Sequence, residues 1–305
     1  MSLTELINTF ANNILPLILI SGAGFVLGKT LNIDSRAIGR VTFYFFSPVL
    51  VFSLLTHSDL PAGEILRTGA LAVCVTLASG LLALLGGMLL KLDRKALVST
   101  IITSAFANNG NYGLPLIAFA FGQAALAHSS IYLVFSSLLT NTFGVLIASL
   151  GHLDLKQAAL GMIKVPTIYA VILAMLINQS GITLPVPVDR TISLAAGAGV
   201  PLMILLLGLE LRQMRWTSNF SALGLSTSIR LLAGPVLGLI FTSALGLKGV
   251  GHQVGVMEAS MSAAVANTNL ASEYELDTSL VAATVFVSTL LSPFTLTPLI
   301  LFLGK

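Results

Sequence analysis

Stretches of 20 to 29 residues almost free of charged side chains follow one another from end to end of this sequence. A hydrocarbon layer about 30 Å thick is crossed by roughly 20 apolar residues in a helix. The stretches fall at 8–28, 36–56, 67–90, 96–120, 125–150, 160–179, 189–209, 217–245, 250–272 and 277–303. Their lengths predict tilted helices rather than barrel strands, which would alternate with period two over about ten residues. Only 9% of the 305 residues are charged and 55% are hydrophobic, whereas soluble domains run at roughly 25% charged. Such a surface needs lipid as its solvent. Ten spans leave short loops and no room for a sizeable soluble domain. The first ten residues lack the positive n-region of a signal peptide, which predicts that the first span is retained.

The same numbers exclude several function classes. A net charge of +3, thinly spread, gives no nucleic-acid surface. The lone cysteine, Cys74, excludes an internal disulfide and a Cys-rich metal site. His57, His128, His152 and His252 have no metal spacing, and no Walker-type loop is present to power an ATP-driven pump. An intramembrane enzyme would need a paired Asp, a metal-ligand cluster or a Ser/His pair within spans, and none is seen. Lys and Arg test the topology. With the N-terminus outside, ten fall on the inner side (Lys29, Arg36 and Arg215 among them), and four (Arg67, Arg190, Lys248 and Lys305) on the outer. That asymmetry fits the positive-inside rule and an even span count.

Two echoes share an offset of about 152 residues. Ser47-Pro48-Val49-Leu50 in span two answers Val200-Pro201-Leu202-Met203 in span seven, and Val134-Phe135-Ser136 in span five answers Val285-Phe286-Val287 in span ten. An odd number of spans per half inverts the halves, so residues 1–152 and 153–305 are expected to form two inverted five-helix repeats.

Span four reads Ala107-Asn108-Asn109-Gly110-Asn111-Tyr112-Gly113-Leu114-Pro115. Three Asn, two Gly and a Pro cannot form a regular lipid-facing helix. Pro115 removes a backbone donor, and the freed groups need protein or a water-filled cavity. A half-helix beginning near Gly113 would aim its amides and positive dipole end inward, where an anion fits. The alternative is a kinked packing helix. Span nine, with Glu258, Ser260, Ser262, Asn267 and Asn269, is its expected partner, although it has no proline. Arg230 in span eight and Glu258 are ionisable groups within spans, so both should face the interior. Two readings stay open: Arg230 holds an anionic substrate and Glu258 takes a cation or proton, or the two form a structural ion pair.

The run from Ala107-Asn108 to Gly113-Leu114-Pro115-Leu116, with the Pro48 and Pro201 segments, Arg230-Leu231-Leu232-Ala233-Gly234-Pro235 and Met261-Ser262-Ala263, resembles the auxin efflux carrier family. The resemblance implies an all-α fold of ten spans, broken crossing helices four and nine, and a scaffold domain that supports a homodimer. It implies that Asn108 meets a substrate carboxylate. It also aligns Val165-Pro166-Thr167 with an Asn-Pro-Asn segment, putting Thr167 where an asparagine stands. Glu258 followed by Met261 is similar to the sodium-site segment of the bile acid sodium symporters, which implies Na⁺ or H⁺ coupling at Glu258 and Ser262.

The expected function is secondary transport of a small organic anion across a bacterial plasma membrane, N-terminus outside. The site residues are Asn108, Asn109, Asn111, Gly113, Pro115, Thr167, Arg230 and Asn267, with Glu258 and Ser262 for the ion. No cofactor is expected beyond Na⁺ as a candidate coupling ion. The alternatives are a uniporter driven by membrane potential and a membrane sensor that does not transport.

Overall fold

The computed structural model describes residues 2–58, 60–149 and 165–304. Among these residues every regular element is a helix, and the one β-type pairing is an isolated antiparallel bridge between Ala107 and Ala263. Seven helices are long and apolar enough to cross a membrane: α1 Leu3–Leu31, α2 Ser35–Thr56, α3 Ala62–Leu89, α6 Gln123–Ala148, α8 Val186–Leu211, α9 Phe220–Ala244 and α12 Thr278–Leu303. Between them lie α4 Arg94–Ala105, α5 Leu114–Phe121, α7 Pro166–Ser180, α10 Gly249–Ala259 and α11 Ala266–Glu273.

The seven fall on seven of the ten expected stretches. The other three are absent from that count for two reasons. Stretches four and nine are interrupted, with residues 106–108 and 260–265 non-helical, so neither is one continuous helix. The start of stretch six, 160–164, lies outside the described residues, as do His152 and the expected boundary between halves.

Three of the sparse acidic groups, all aspartates, are spent on helix starts. Asp34 accepts from the Arg36 amide (2.9 Å), Asp93 from Ala96 (3.0 Å) and Asp277 from Leu280 (2.9 Å). Each satisfies an amide that has no intrahelical acceptor and sits at the positive end of the helix dipole. Prolines shape the spans differently. Four π-turns, at Phe10–Ile14, Thr42–Phe46, Asn109–Gly113 and Ile229–Ala233, stand just before Pro16, Pro48, Pro115 and Pro235. In each, the residue before the proline donates five residues back, as Leu114 does to Asn109. Widening the turn accommodates the missing donor and the ring's clash with the preceding turn without ending the span.

Two groups of helices pack side by side. In the first, α1 lies against α8 and α7 against α2. Gly24 meets the Leu205 backbone and Gly208 the backbone at Ser21, so the α1–α8 contact needs both glycines bare. Asn178 on α7 donates to the Leu55 carbonyl at the end of α2 (2.8 Å). In the second group, α3 packs on α4 and α6, and α9 packs on α10. A continuous core joins the groups, bringing Leu17, Leu50 and Met203 of the first together with Met257 of α10, Leu116 of α5 and Leu296 of α12. The perimeter is apolar: Leu85, Leu194 and Phe294 are exposed, as a lipid-facing surface requires.

Candidate functional site

The two interruptions meet each other. The Asn108 amide donates to the Ser262 carbonyl (2.8 Å), and the Ala264 amide returns a bond to Phe106 (3.0 Å). Asn267 adds a side-chain bond from Nδ2 to the Phe106 carbonyl (3.1 Å). Non-helical backbone at membrane depth needs such partners. Segment nine opens without a proline because its free amides and carbonyls are matched by those of segment four.

Arg230 completes the backbone's satisfaction. It stands in the π-turn Ile229–Ala233 and is fully buried. Its Nη1 donates to Ser104 (2.9 Å), Nη2 to Ala259 (2.7 Å) and Nε to Met261 (2.9 Å). Ser104 and Ala259 lie at the C-terminal ends of α4 and α10, where carbonyls are orphaned and the dipole is negative. One guanidinium thus closes both half-helices. The alternative of an Arg230–Glu258 ion pair is corrected here: the pair is not formed, because Arg230's donors are taken by carbonyls and the Glu258 side chain turns toward α6.

Glu258 is also fully buried. Its Oε1 accepts from the Ser129 hydroxyl and its Oε2 from Asn109 Nδ2 (2.7 Å). Asn109 Nδ2 also donates to the Glu258 carbonyl (3.0 Å), and Asn109 Oδ1 accepts from Ser136 (2.8 Å). Gly113 makes this possible, since a Cβ there would lie 2.5 Å from Glu258 Oε2. Ser262, expected beside Glu258, instead bonds Thr289 (3.0 Å).

A cavity of about 680 Å³ opens beside the segment-four break. Asn108, Asn109, Asn111 and Thr167 line it, with Arg36, Arg40, Arg215 and Glu210 further along its wall. Asn108 and Thr167 are 5% and 2% exposed, and neither Asn108 Nδ2 nor Thr167 Oγ1 has a hydrogen-bond partner. Buried polar groups are almost always paired, and of the eight buried side-chain atoms left unpaired among the described residues these are the two whose residues line the cavity. Amide and hydroxyl donors of this kind suit a carboxylate.

A family model described as "Membrane transport protein" matches residues 9–155 and 151–300. The chain belongs to this family. The likeness to auxin efflux carriers expected from segment four is therefore met, and the protein is an integral membrane transporter. An uncharacterized transporter of Methanothermobacter thermautotrophicus is 28% identical over 282 residues, covering 92% of this chain and 93% of its own. One from Methanocaldococcus jannaschii is 26% identical over 289 residues, with the same coverage.

Of the site residues expected in this transporter, Asn108, Asn109, Asn111 and Thr167 come together on the cavity wall. Gly113, Pro115, Arg230, Asn267, Glu258 and Ser262 do not line it; they frame the break behind it. Three groups were missed. Ser129 and Ser136 fix Glu258 and Asn109, and their one signal in the sequence is hydroxyls at helical spacing in an apolar span. Glu210, whose Oε2 accepts from Asn111 Nδ2 (3.2 Å), sits where a span was expected to end, a position at which a charge attracts no notice.

Proposed function

We propose that this protein is a secondary transporter of a small organic anion, a carboxylate, bound at mid-membrane where segments four and nine break. The observation that carries this reading is the pair of unpartnered buried donors, Asn108 Nδ2 and Thr167 Oγ1, on one cavity wall. Asn109 and Asn111 complete the wall. Arg230, Pro115 and Asn267 hold its frame.

The finer architecture is ten spans in two inverted repeats, 1–152 and 153–305. Its support is a pattern of packing: α1 on α8 is matched by α7 on α2, and α3 on α4 by α9 on α10. These are the pairs that exchanging spans one to five with six to ten would equate. The group α1, α2, α7 and α8 then serves as scaffold and homodimer surface, and the other group carries the substrate. The N-terminus lies outside a bacterial plasma membrane, so Arg36, Arg40 and Arg215 line a cytoplasmic mouth that draws anions inward.

Coupling to Na⁺ or H⁺ at Glu258 is one mode. A second is uniport driven by the membrane potential, favoured by Glu258's two oxygens already accepting from Ser129 and Asn109. One charge crossing the membrane is worth about 2.3 kcal/mol per 100 mV, enough for roughly fifty-fold accumulation. Thermal stabilisation of wild type and Glu258→Gln by small carboxylates, with and without Na⁺, separates the modes. A Na⁺-dependent shift present in wild type and lost in the variant means coupling. A carboxylate shift indifferent to Na⁺ and kept in the variant means uniport. No shift with any carboxylate rejects the anion reading.

A further inference from the structure

We propose that Glu210 is a second, cation-receiving pole of the same cavity, so that the carboxylate is taken together with a positive charge, either an ammonium group on the same molecule or a monovalent inorganic cation beside it. The inference rests on the carboxylate reading above and adds the substrate's other end.

Glu210 is the penultimate residue of α8, half-buried, and lines the cavity. An ionised carboxylate offers about four acceptor positions. Among the described residues one donor reaches this one, Asn111 Nδ2 at 3.2 Å. No Lys, Arg or His nitrogen lies within 4.0 Å of it among the described residues, where the ion pairs are His57–Asp189 and His128–Glu64. Asp34, Asp93 and Asp277 spend their charge on helix amides, and Glu258 on Ser129 and Asn109. Glu210 thus stands on the cavity wall with no cation within 4.0 Å among the described residues, while Arg36, Arg40 and Arg215 line the same wall farther off, and charges inside membrane proteins are usually paired.

Glu210 is tied through Asn111 to the same cavity wall that carries Asn108 and Thr167. A bare monocarboxylate on Asn108 and Thr167 would meet a second negative charge nearby. A carboxylate that brings a positive charge meets complementary groups at both ends.

The test titrates the purified full-length protein in detergent and derives Kd from thermal stabilisation. The probes are propionate, 3-aminopropionate and ethylammonium, each in choline chloride and in sodium chloride. The proteins are wild type, Glu210→Gln and Glu210→Asp. In choline, 3-aminopropionate is expected to bind wild type about tenfold more tightly than propionate. That preference disappears in Glu210→Gln and survives in Glu210→Asp, which keeps the charge. If propionate instead gains about tenfold from Na⁺, with the gain lost in Glu210→Gln, the pole holds and its cation is inorganic. If the two acids bind wild type within about twofold of each other in both salts, the second pole is overturned while the carboxylate reading stands. If ethylammonium alone binds, and Glu210→Gln abolishes it, the pole stands and the carboxylate reading falls. Binding of none of the three overturns both.

Discussion

The guanidinium of Arg230 holds the carbonyl of Ser104 at 2.9 Å, 126 residues away in the chain, while its other nitrogens hold Ala259 and Met261. Replacing it by methionine leaves these carbonyls unpaired in a buried setting, and each unsatisfied buried acceptor costs about 1–3 kcal/mol. Arg230→Met is expected to give much less monodisperse protein and a far lower melting temperature. Arg230→Lys recovers little, because an ammonium is a point charge and cannot reproduce the guanidinium's planar fork. Thermal melts of both variants in detergent check this. A melting temperature unchanged in Arg230→Met would show that the break is held by other contacts.

Gly113 and Glu258 are matched in shape. A Cβ at Gly113 falls 2.5 Å from Oε2 and 3.1 Å from the carboxyl carbon of Glu258, so Gly113→Ala must push the carboxylate from Asn109 and Ser129. A destabilisation of about 1–3 kcal/mol is expected from such overpacking. Glu258→Asp in the same chain withdraws the carboxylate by one methylene and should return part of the loss. A double mutant no more stable than Gly113→Ala alone would place the strain elsewhere.

Asn108 and Thr167 should separate stability from binding. Their idle atoms contribute no hydrogen bond to the fold, and an unsatisfied buried group costs about 1–3 kcal/mol. Asn108→Ala and Thr167→Ala are therefore expected to melt at or above the wild-type temperature while binding carboxylates about tenfold or more weakly. Melts and ligand titrations on the same preparations read both. Variants that melt lower and bind normally would make these residues structural.

The α1–α8 contact offers a control away from the cavity. A Cβ at Gly208 would strike the Ser21 carbonyl and one at Gly24 the Leu205 carbonyl. Gly208→Ala is expected to cost about 1–3 kcal/mol and leave carboxylate affinity in the surviving folded protein unchanged. Gly22, with nothing within 4 Å, should accept alanine without loss in the same melts.

Much of this was legible in the residues. The apolar stretches lie where seven membrane-length helices stand, because charge is too costly in lipid to be common within them. Asn108, Gly113 and Pro115 announced the break in segment four by their chemistry. Arg230's role was not legible, since its partners are main-chain carbonyls and every residue has one. The same is true of segment nine, where Ala263 and Ala264 open the helix by pairing with a strand-like stretch 156 to 158 residues earlier, Ala107 and Phe106, and not through any breaker of their own. Glu210 escaped notice because a glutamate at the end of a span is ordinary until Asn111 is seen to hold it inside a cavity.

The most direct measurement is uptake of a labelled small carboxylate into proteoliposomes holding purified wild-type protein, with Asn108→Ala in parallel and the membrane potential clamped. Saturable uptake by wild type that follows the imposed potential or ion gradient, and is lost in a correctly folded Asn108→Ala, is the predicted result. Uptake that is equal in the two proteins, or absent from wild type for every carboxylate that stabilises it, would contradict the assignment of this cavity as the transport site.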